Sequence, residues 1–437
     1  MLLLALGGCA MGEDDPNGTP DAMIDARALP DAMPDSGPTF PEIYPTDRTQ
    51  SPLTPALVDG LRAVRARGPT LADNVFMKVG DSITDSTAFL YCYDTGTVDL
   101  AGRTELQETL DFFKAGPVPA PATSPYNRDS VAATQNWRAD NAIAGDPSPL
   151  TTELTTLDPR FAVVMFGTND APGGASTIHT YAASMLDIVD QLLAAGVVPI
   201  VSSIPPNNNN ATTDTWVPKY NAVARGIAQG RQVPFVDFHR EMLGLPNRGM
   251  DPDGIHPSNF SPMNCDLDAT GLMKGYPMRN LLTLQALDRL RRTLVSTEAA
   301  PDAPGTPLVG MGTSTEPFRI PSLPFTHMYD SSRSTQTDLD GYPSCDTGQD
   351  EGGPEVIYQL EVTEMTEVRA LVFDGAGVDL DVHILESSPA GGNCRARNDK
   401  QVTWILTPGT WYFSVDTFVP AGLDPAAGEY LFVLVRE

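Results

Sequence analysis

The chain has 437 residues, of which 41% are hydrophobic and 19% are charged. This composition is typical of globular proteins, and the length is sufficient for two or three domains. The 28 basic and 56 acidic residues give a net charge of −28, which argues against nucleic-acid binding because that function requires a basic surface. No run of 18 or more apolar residues occurs in the sequence, so a membrane-spanning helix is excluded.

The chain begins with a short apolar segment that ends in a cysteine, since residues 1–9 read MLLLALGGC. This segment resembles the lipobox of bacterial lipoproteins, in which cleavage leaves the cysteine lipidated. The resemblance implies that residues 1–9 are a lipoprotein signal and that Cys9 carries the lipid. The protein would then be exported and held at the bacterial cell envelope or surface by its lipid anchor alone. An arbitrary apolar N-terminus is the alternative.

Residues 10–50 have the composition of a tether. They contain nine acidic and two basic residues and many prolines, and the tetrapeptide Pro-Asp-Ala-Met occurs twice. Such a segment buries too little apolar surface to offset the entropy of ordering it, so we expect disorder. A solvated spacer after a lipidated cysteine would hold a folded domain away from the membrane.

The next part of the chain, residues 51–296, alternates predicted helices and strands. Its predicted elements are a helix at Pro55–Arg67, strands at Asn74–Val79, Phe161–Phe166, Val197–Ile204 and Val233–Phe238, and helices from Ile178, at Lys219–Gly230 and at Leu281–Val295. This alternation predicts a parallel sheet with helices on both faces. Ligands of such sheets bind at the carboxyl ends of the strands.

Residues 297–319 are rich in Pro, Gly, Ser and Thr and are predicted to be a linker. Residues 320–437 change to short alternating segments separated by turn residues, which predicts an all-β sandwich. Its predicted strands are Val356–Val362, Val368–Phe373, Leu380–Leu385, Val402–Leu406, Trp411–Asp416 and Tyr430–Val435. Three motifs, VDLDV at 378–382, PGTWY at 408–412 and AGEYL at 427–431, resemble the bacterial pre-peptidase C-terminal domain. That resemblance implies a small jelly-roll-like module.

Five cysteines are present. If Cys9 carries a lipid, four remain, and an even number in an exported protein indicates disulfide bonds. Four cysteines allow three pairings, and pairing within the predicted domains gives Cys92–Cys265 and Cys345–Cys394. Buried free thiols are the alternative.

A serine follows the first predicted strand directly, in the sequence Gly80-Asp81-Ser82. At this position the hydroxyl projects from the sheet edge, and the dipole of a following helix favours developing negative charge. Serine needs a base to take its proton. His256 is the best candidate, and Asp253 lies three residues before it, so that one helical turn would place both side chains on one face.

Together with Gly167-Thr168-Asn169-Asp170 after the second strand, these residues resemble the GDSL, or SGNH, hydrolase family. The resemblance covers residues 70–295 and implies a three-layer α/β/α flavodoxin-like fold. It further implies that Ser82 is the nucleophile, that His256 and Asp253 complete a triad, and that the Ser82 backbone N–H and the Asn169 side chain donate to the oxyanion.

The family usually supplies a third oxyanion donor from the backbone of a glycine. The matching stretch here, residues 127–134, contains no glycine, and Ala132 is the best placement for that donor. Only an N–H is required, so alanine can serve if its φ is negative.

Structural roles are expected for the other four histidines: His179, His239, His327 and His383. The chain contains neither Cys-x-x-Cys nor His-Glu-x-x-His, and we expect no metal and no cofactor.

The expected activity is hydrolysis of carboxylic esters through an acyl-enzyme, with short acyl groups such as acetyl on extracellular polysaccharide as substrate. Two alternatives stay open, a lipase or lysophospholipase of the same family and a surface binding protein with a degenerate esterase domain. The sequence does not predict an oligomeric state.

Overall fold

The computed structural model describes residues 42–261, 263–345, 348 and 350–437. Cys9, the predicted signal and residues 10–41 of the predicted tether lie outside the described residues. In the part of the chain that the structure covers, no helix is both long and apolar enough to cross a membrane.

A four-stranded parallel sheet organises the first part of the chain. Its strands lie side by side in chain order: β1 (Ala72–Gly80), β2 (Pro159–Met165), β3 (Val198–Ser202) and β4 (Phe235–Val236). Gly80 pairs with Met165 across β1 and β2, and an isolated parallel bridge joins Gly80 to Ala133 on the other side. The buried positions of β1, β2 and β3 form continuous runs that are apolar except for Lys78, Arg160 and Ser202, as expected for a sheet covered on both faces.

The helices that accompany this sheet in the described residues are α1 (Pro55–Arg67), α2 (Ser82–Asp85), α3 (Cys92–Thr95), α4 (Gln107–Lys114), α5 (Ala139–Ile143), α6 (Pro149–Leu157), α7 (Ile178–Ala194), α8 (Ala211–Gly230), α9 (Phe238–Leu243) and α10 (Gly275–Leu290). Residues Arg291–Val295 continue α10 as one π-helical turn. Short 3₁₀ segments lie at Thr104–Leu106, Pro125–Asn127, Ala171–Ser176, Pro246–Gly249, Gly271–Met273, Ser331–Arg333 and Gly391–Asn393. The predicted parallel sheet with helices packed on it is confirmed.

Helix α8 begins eight residues before the predicted start at Lys219. Pro218 lies inside α8, although proline is usually excluded from a helix interior. Asn210 caps the helix, since its side chain accepts a hydrogen bond from the Thr213 N–H at 3.0 Å. This cap and the buried face of the helix outweigh the backbone hydrogen bond that Pro218 removes.

Residues 42–50, which the composition places in the tether, pack against the sheet. The Tyr44 hydroxyl donates to the Val233 carbonyl at 2.8 Å, and only 2% of Tyr44 is exposed. Gln50 pairs with Val236 in an antiparallel bridge. The buried side chain of Tyr44 and the backbone pairing of Gln50 at the sheet edge hold this segment in place despite its polar, proline-rich composition.

The C-terminal part contains two sheets rich in antiparallel strands, as predicted. Its strands are β5 (Phe318–Arg319), β6 (Phe325–Asp330), β7 (Val356–Val362), β8 (Thr366–Asp374), β9 (Leu380–Glu386), β10 (Cys394–Asn398), β11 (Gln401–Leu406), β12 (Gly409–Thr417) and β13 (Glu429–Arg436). One sheet has the order β10-β9-β12-β7-β5 and the other β11-β8-β13-β6. The two sheets enclose a shared apolar core that includes Phe413 and Phe432.

The second of these sheets packs against α8. Strands β6 and β13 contact the helix, and Met328 and Leu431 belong to the same buried cluster as the core of the parallel sheet. Gly226 and Gly230 permit this approach, because a Cβ at either position would lie 2.7 Å or less from Leu431 or Met328. The two parts of the chain are therefore joined by a continuous apolar interface.

Residues 297–317 contain no helix or strand, but they are tied to both parts. The Asp302 carboxylate accepts from the Leu53 N–H at 2.7 Å and pairs with Arg289. Leu308 belongs to the core between the two antiparallel sheets.

Candidate active site

Ser82 is the first residue of α2, at the point where β1 ends. Asp81 caps this short helix, since its side chain accepts from the Ile83 N–H at 3.0 Å. Gly80 is required by close packing, because a Cβ there would lie 2.4 Å from Thr84 Oγ1 and 2.6 Å from the Met165 carbonyl oxygen. The strand therefore turns sharply into the helix, and the half-buried Ser82 lies at the carboxyl edge of the sheet.

His256 lies next to Ser82, 174 positions away in sequence, and Asp253 lies next to His256. Ser82 Oγ is 2.9 Å from His256 Nε2, and His256 Nδ1 is 2.7 Å from Asp253 Oδ2. The expected helical turn between the two residues is wrong. They are joined instead by a tight turn in which Gly254 has φ +72°, and a Cβ at Gly254 would lie 2.6 Å from the Asn209 nitrogen.

The hydrogen bonds of Asp253 fix the tautomer of His256. An ionised carboxylate only accepts, so Nδ1 carries the proton and Nε2 is free to accept from the Ser82 hydroxyl. Burial raises the pKa of the Asp253 carboxyl, but the backbone N–H groups of His256 and Ile255 and the imidazole outweigh that effect, and the net pKa is lowered. Asp253 is therefore ionised around neutral pH.

Asn169 follows β2 and is half-buried, and its side-chain Nδ2 donates to the Trp137 carbonyl at 2.9 Å. An amide nitrogen has two hydrogens, so the second can donate to a bound group. The Ser82 backbone N–H is at the first position of a helix, where no intrahelical acceptor exists.

Ala132 lies beside the end of β1, as the sequence match implies. Its carbonyl accepts from the Gly80 N–H at 3.1 Å, but its own N–H donates to Ser130 Oγ at 3.2 Å. The φ of Ala132 is not positive. The N–H that the sequence assigns to the oxyanion thus has an internal acceptor in this structure, and its role as a donor stays a prediction.

A buried arginine lies behind the nucleophile turn. Arg279 of α10 donates to the Ile83 carbonyl at 2.7 Å and to Thr84 Oγ1 at 2.8 Å, and its guanidinium lies 3.7 Å from the centre of the Phe89 ring. Burial lowers its pKa to about 10, while Tyr276 and Asp81 act in the opposite direction. The sequence did not predict this contact, because nothing local in α10 indicates that its arginine reaches a turn 196 positions away.

Two more buried ionisable groups lie close to the same strands. Burial raises the pKa of the Asp170 carboxyl to about 7, and one of its oxygens is buried without a hydrogen-bond partner among the described residues. Burial lowers the pKa of Lys78 on β1 to about 7, against the opposing effect of Asp129 and Asp85. Both groups are therefore expected to titrate near neutral pH.

The four remaining cysteines form two disulfide bonds, Cys92–Cys265 and Cys345–Cys394. The pairing within each part of the chain, one of the three possible connectivities, is confirmed. The first bond joins the segment after the nucleophile helix to the segment after His256, with the two Cα atoms 5.6 Å apart.

The other histidines lie elsewhere. His179 lies against Phe373 at the interface with the antiparallel sheets, with Nε2 3.2 Å from the Val372 carbonyl oxygen. His327 and His383 are fully buried in the C-terminal part, and His239 is on α9.

Residues 79–259 match the GDSL-like Lipase/Acylhydrolase family. A solved GDSL-like lipase from Bacteroides thetaiotaomicron is 16% identical, with 53% of this chain and 98% of that chain covered and a TM-score of 0.32. An acetyl-xylooligosaccharide esterase from Geobacillus is 17% identical, and the match covers 48% of this chain and 93% of that chain with a TM-score of 0.33. The pre-peptidase C-terminal domain of collagenase from Bacillus anthracis is 16% identical, with coverages of 26% and 91% and a TM-score of 0.18. No curated protein matches the chain.

A serine, a histidine and an aspartate hydrogen-bonded in series at the edge of a parallel sheet are typical of serine hydrolases. With the family match across residues 79–259, this chain carries a domain of the GDSL-like lipase/acylhydrolase family. It is a carboxylic ester hydrolase.

Proposed function

We propose that the protein hydrolyses carboxylic esters through a covalent acyl-enzyme on Ser82, with His256 as general base and Asp253 as the residue that orients it. The observation that carries this proposal is the continuous hydrogen-bonded series from Ser82 Oγ to His256 Nε2 at 2.9 Å and from His256 Nδ1 to Asp253 Oδ2 at 2.7 Å.

The proposed reaction has two steps. Ser82 attacks the ester carbonyl while His256 takes the hydroxyl proton, and the same proton then goes to the departing alcohol. Water activated by His256 next attacks the acyl-enzyme and releases the acid. Asp253 stabilises the imidazolium that forms in both steps.

The negative charge on the carbonyl oxygen needs donors that are already in place. We propose that the Ser82 backbone N–H and the second Nδ2 hydrogen of Asn169 serve this purpose. Ala132 becomes a third donor only if its N–H exchanges Ser130 Oγ for the oxyanion.

For the substrate, we propose short acyl esters, acetyl above all, on extracellular carbohydrate. Two disulfide bonds favour an exported protein, and polysaccharide outside the cell is a plentiful acylated polymer. The alternative substrates are longer-chain lipid esters.

The test is hydrolysis of p-nitrophenyl acetate, butyrate and octanoate by the wild type and by Ser82→Ala. We expect hydrolysis to depend on Ser82, and acetyl release from acetylated xylan to be detected as free acetate. Unchanged hydrolysis in Ser82→Ala would remove the assignment of the nucleophile, and a preference for octanoate would favour the lipase.

The lipid anchor on Cys9 is a separate proposal, supported by the resemblance of residues 1–9 to a lipobox. Labelled palmitate supplied to expressing cells should be incorporated into the wild type and not into Cys9→Ala. Equal labelling of the two proteins would contradict it.

A further inference from the structure

A left-handed segment of three residues leads into the turn that carries Asp253 and His256, which spans residues 251–257 and is called the catalytic turn below. Asn247, Arg248 and Gly249 have φ values of +50°, +51° and +68°. Residues other than glycine seldom adopt this conformation, and they keep it only where the surrounding structure holds them in it, often at functional sites. The contacts of the Arg248 side chain are therefore of interest.

The Arg248 guanidinium bonds to the loop before α8 and to the start of that helix. Nη1 pairs with Asp214 Oδ2 at 2.7 Å, Nε donates to Asn208 Oδ1 at 2.6 Å, and Nη2 donates to the Asn207 carbonyl at 3.1 Å. The Asp214 carboxylate also accepts from the Asn207 N–H at 2.8 Å. One side chain therefore fixes the loop at residues 207–210 relative to the left-handed segment.

The same loop contacts the catalytic turn directly. The Asn208 N–H donates to the Gly254 carbonyl at 2.8 Å, and a Cβ at Gly254 would lie 2.6 Å from the Asn209 nitrogen. Gly254 lies between Asp253 and His256 in the turn, and the side chains of these two residues bond at 2.7 Å. A shift of the loop would therefore displace the turn and the two side chains on it.

The backbone gives a second connection between Arg248 and the catalytic turn. The carbonyl of Gly249, the next residue, accepts from the Ser258 N–H at 2.7 Å, just beyond the turn. Within the turn, the Asp251 N–H donates to the His256 carbonyl at 2.8 Å. Arg248 thus reaches the turn through its side chain on one side and through its backbone on the other.

We propose that Arg248 is a positioning residue, which holds the catalytic turn so that His256 Nε2 stays within hydrogen-bond distance of Ser82 Oγ, 2.9 Å away. Because its guanidinium bonds to the loop that holds Gly254, Arg248 acts through the turn. This inference rests on the proposed esterase function and adds a residue that lies outside the motifs carrying the triad.

A guanidinium suits this role, because its donors have a fixed planar arrangement and can hold several acceptors at once. Removal of the guanidinium leaves the loop and the turn free to move relative to each other. Small errors in the position of a catalytic group affect the chemical step more than substrate binding. We therefore expect the loss to appear in kcat and to leave KM almost unchanged.

Arg65 provides a matched control. Its ion pair with Asp73 is 2.6 Å long and its side chain is 36% exposed, against 2.7 Å and 34% for Arg248 with Asp214. Asp73 lies at the start of β1, whereas Ser82 follows the other end of that strand. Arg65→Ala therefore removes a similar ion pair from the opposite edge of the sheet.

The experiment measures kcat and KM for p-nitrophenyl acetate, together with the thermal unfolding midpoint, in the wild type, Arg248→Ala and Arg65→Ala. Arg248→Ala should lower kcat about 10–100-fold, and Arg65→Ala should leave kcat and KM unchanged. Arg248→Gly is the second variant, because glycine adopts a φ of +51° without strain. It should keep a thermal midpoint close to that of Arg65→Ala and still lose kcat as Arg248→Ala does.

A double-mutant cycle with Asp253→Asn separates positioning from a general loss of structure. Once Asp253 no longer orients His256, the exact position of the turn matters less, and residues that act as a unit are strongly non-additive. Arg248→Ala should therefore lower kcat by less than about threefold in the Asp253→Asn background. Additive effects of the two substitutions would overturn the inference.

Three further results are decisive. An unchanged kcat in Arg248→Gly, or a change confined to KM, would overturn the positioning role and leave the esterase intact. Equal losses of kcat in Arg248→Ala and Arg65→Ala would also overturn it. Hydrolysis that survives in Ser82→Ala would instead overturn the proposed function.

Discussion

The Cys92–Cys265 disulfide should be the larger of two covalent contributions to stability. It joins residues 173 apart in sequence, and the Cys345–Cys394 bond joins residues 49 apart. In the chain-entropy model, closing the longer loop stabilises the folded protein by about 5 kcal/mol and closing the shorter loop by about 4 kcal/mol. Because whole proteins are stable by about 5–15 kcal/mol, either loss is large.

The perturbation is the double replacement Cys92→Ser with Cys265→Ser, and the matched control is Cys345→Ser with Cys394→Ser. Urea unfolding under non-reducing conditions should be followed by tryptophan fluorescence and by remaining ester hydrolysis. We expect the first variant to lose activity at a clearly lower urea concentration than the wild type. The control should shift the fluorescence of the C-terminal part with a smaller effect on hydrolysis.

Local contacts also join the two segments that this disulfide links. The Asp99 N–H donates to the Cys265 carbonyl at 3.0 Å, and the Asn280 side chain bonds to the Ala88 and Asn264 carbonyls. The folded variant without the bond should therefore keep kcat/KM close to that of the wild type in the absence of urea. An unchanged unfolding midpoint for the first variant, or an equal shift of the hydrolysis midpoint in the control, would refute this reasoning.

Three further predictions concern the site and the buried charge beneath it. Asp253→Asn should lower kcat about 10³–10⁴-fold, because an amide no longer fixes the His256 tautomer, and a loss under tenfold would contradict the proposed role. Asn169→Ala should lower kcat about 10²–10³-fold with little change in KM, and a rise in KM alone would assign it to substrate binding instead. Because the pKa of Lys78 is lowered from 10.5 to about 7 in the folded protein, its amine binds more protons in the unfolded chain than in the folded protein between these pH values. The free energy of unfolding should therefore rise with pH in this range, by at most about 1.4 kcal/mol per pH unit from this group. Lys78→Met should remove that rise, whereas replacement of the exposed Lys114 should not. An unchanged dependence of the free energy of unfolding on pH in Lys78→Met would contradict the assignment of the rise to Lys78.

Periodic and strongly apolar segments were predictable from the sequence. The bounds of α1 and β7 agree with the predicted Pro55–Arg67 and Val356–Val362, because each combines a clear apolar period with a capping or turn residue. The two-residue β5 and the strands β6 and β10 were not predicted. Their pairing depends on neighbours distant in sequence more than on their own composition.

The carboxyl-edge positions of Ser82 and Asn169 followed from their places directly after neighbouring parallel strands, and the structure brings His256 to Ser82. The link between His256 and Asp253 was predicted for the wrong reason, since the turn requires Gly254 rather than a helix. Arg279 was missed because its contacts with the nucleophile turn arise only when α10 packs against α2. Tertiary packing of this kind leaves no local pattern.

The central claim is that Ser82 is the nucleophile, and covalent labelling tests it most directly. A fluorophosphonate ester should add to the protein once, and peptide mass spectrometry should locate the adduct on Ser82. His256→Ala should strongly slow the labelling, and Ser82→Ala should abolish it. An adduct on another serine, or equal labelling of the wild type and Ser82→Ala, would contradict the claim.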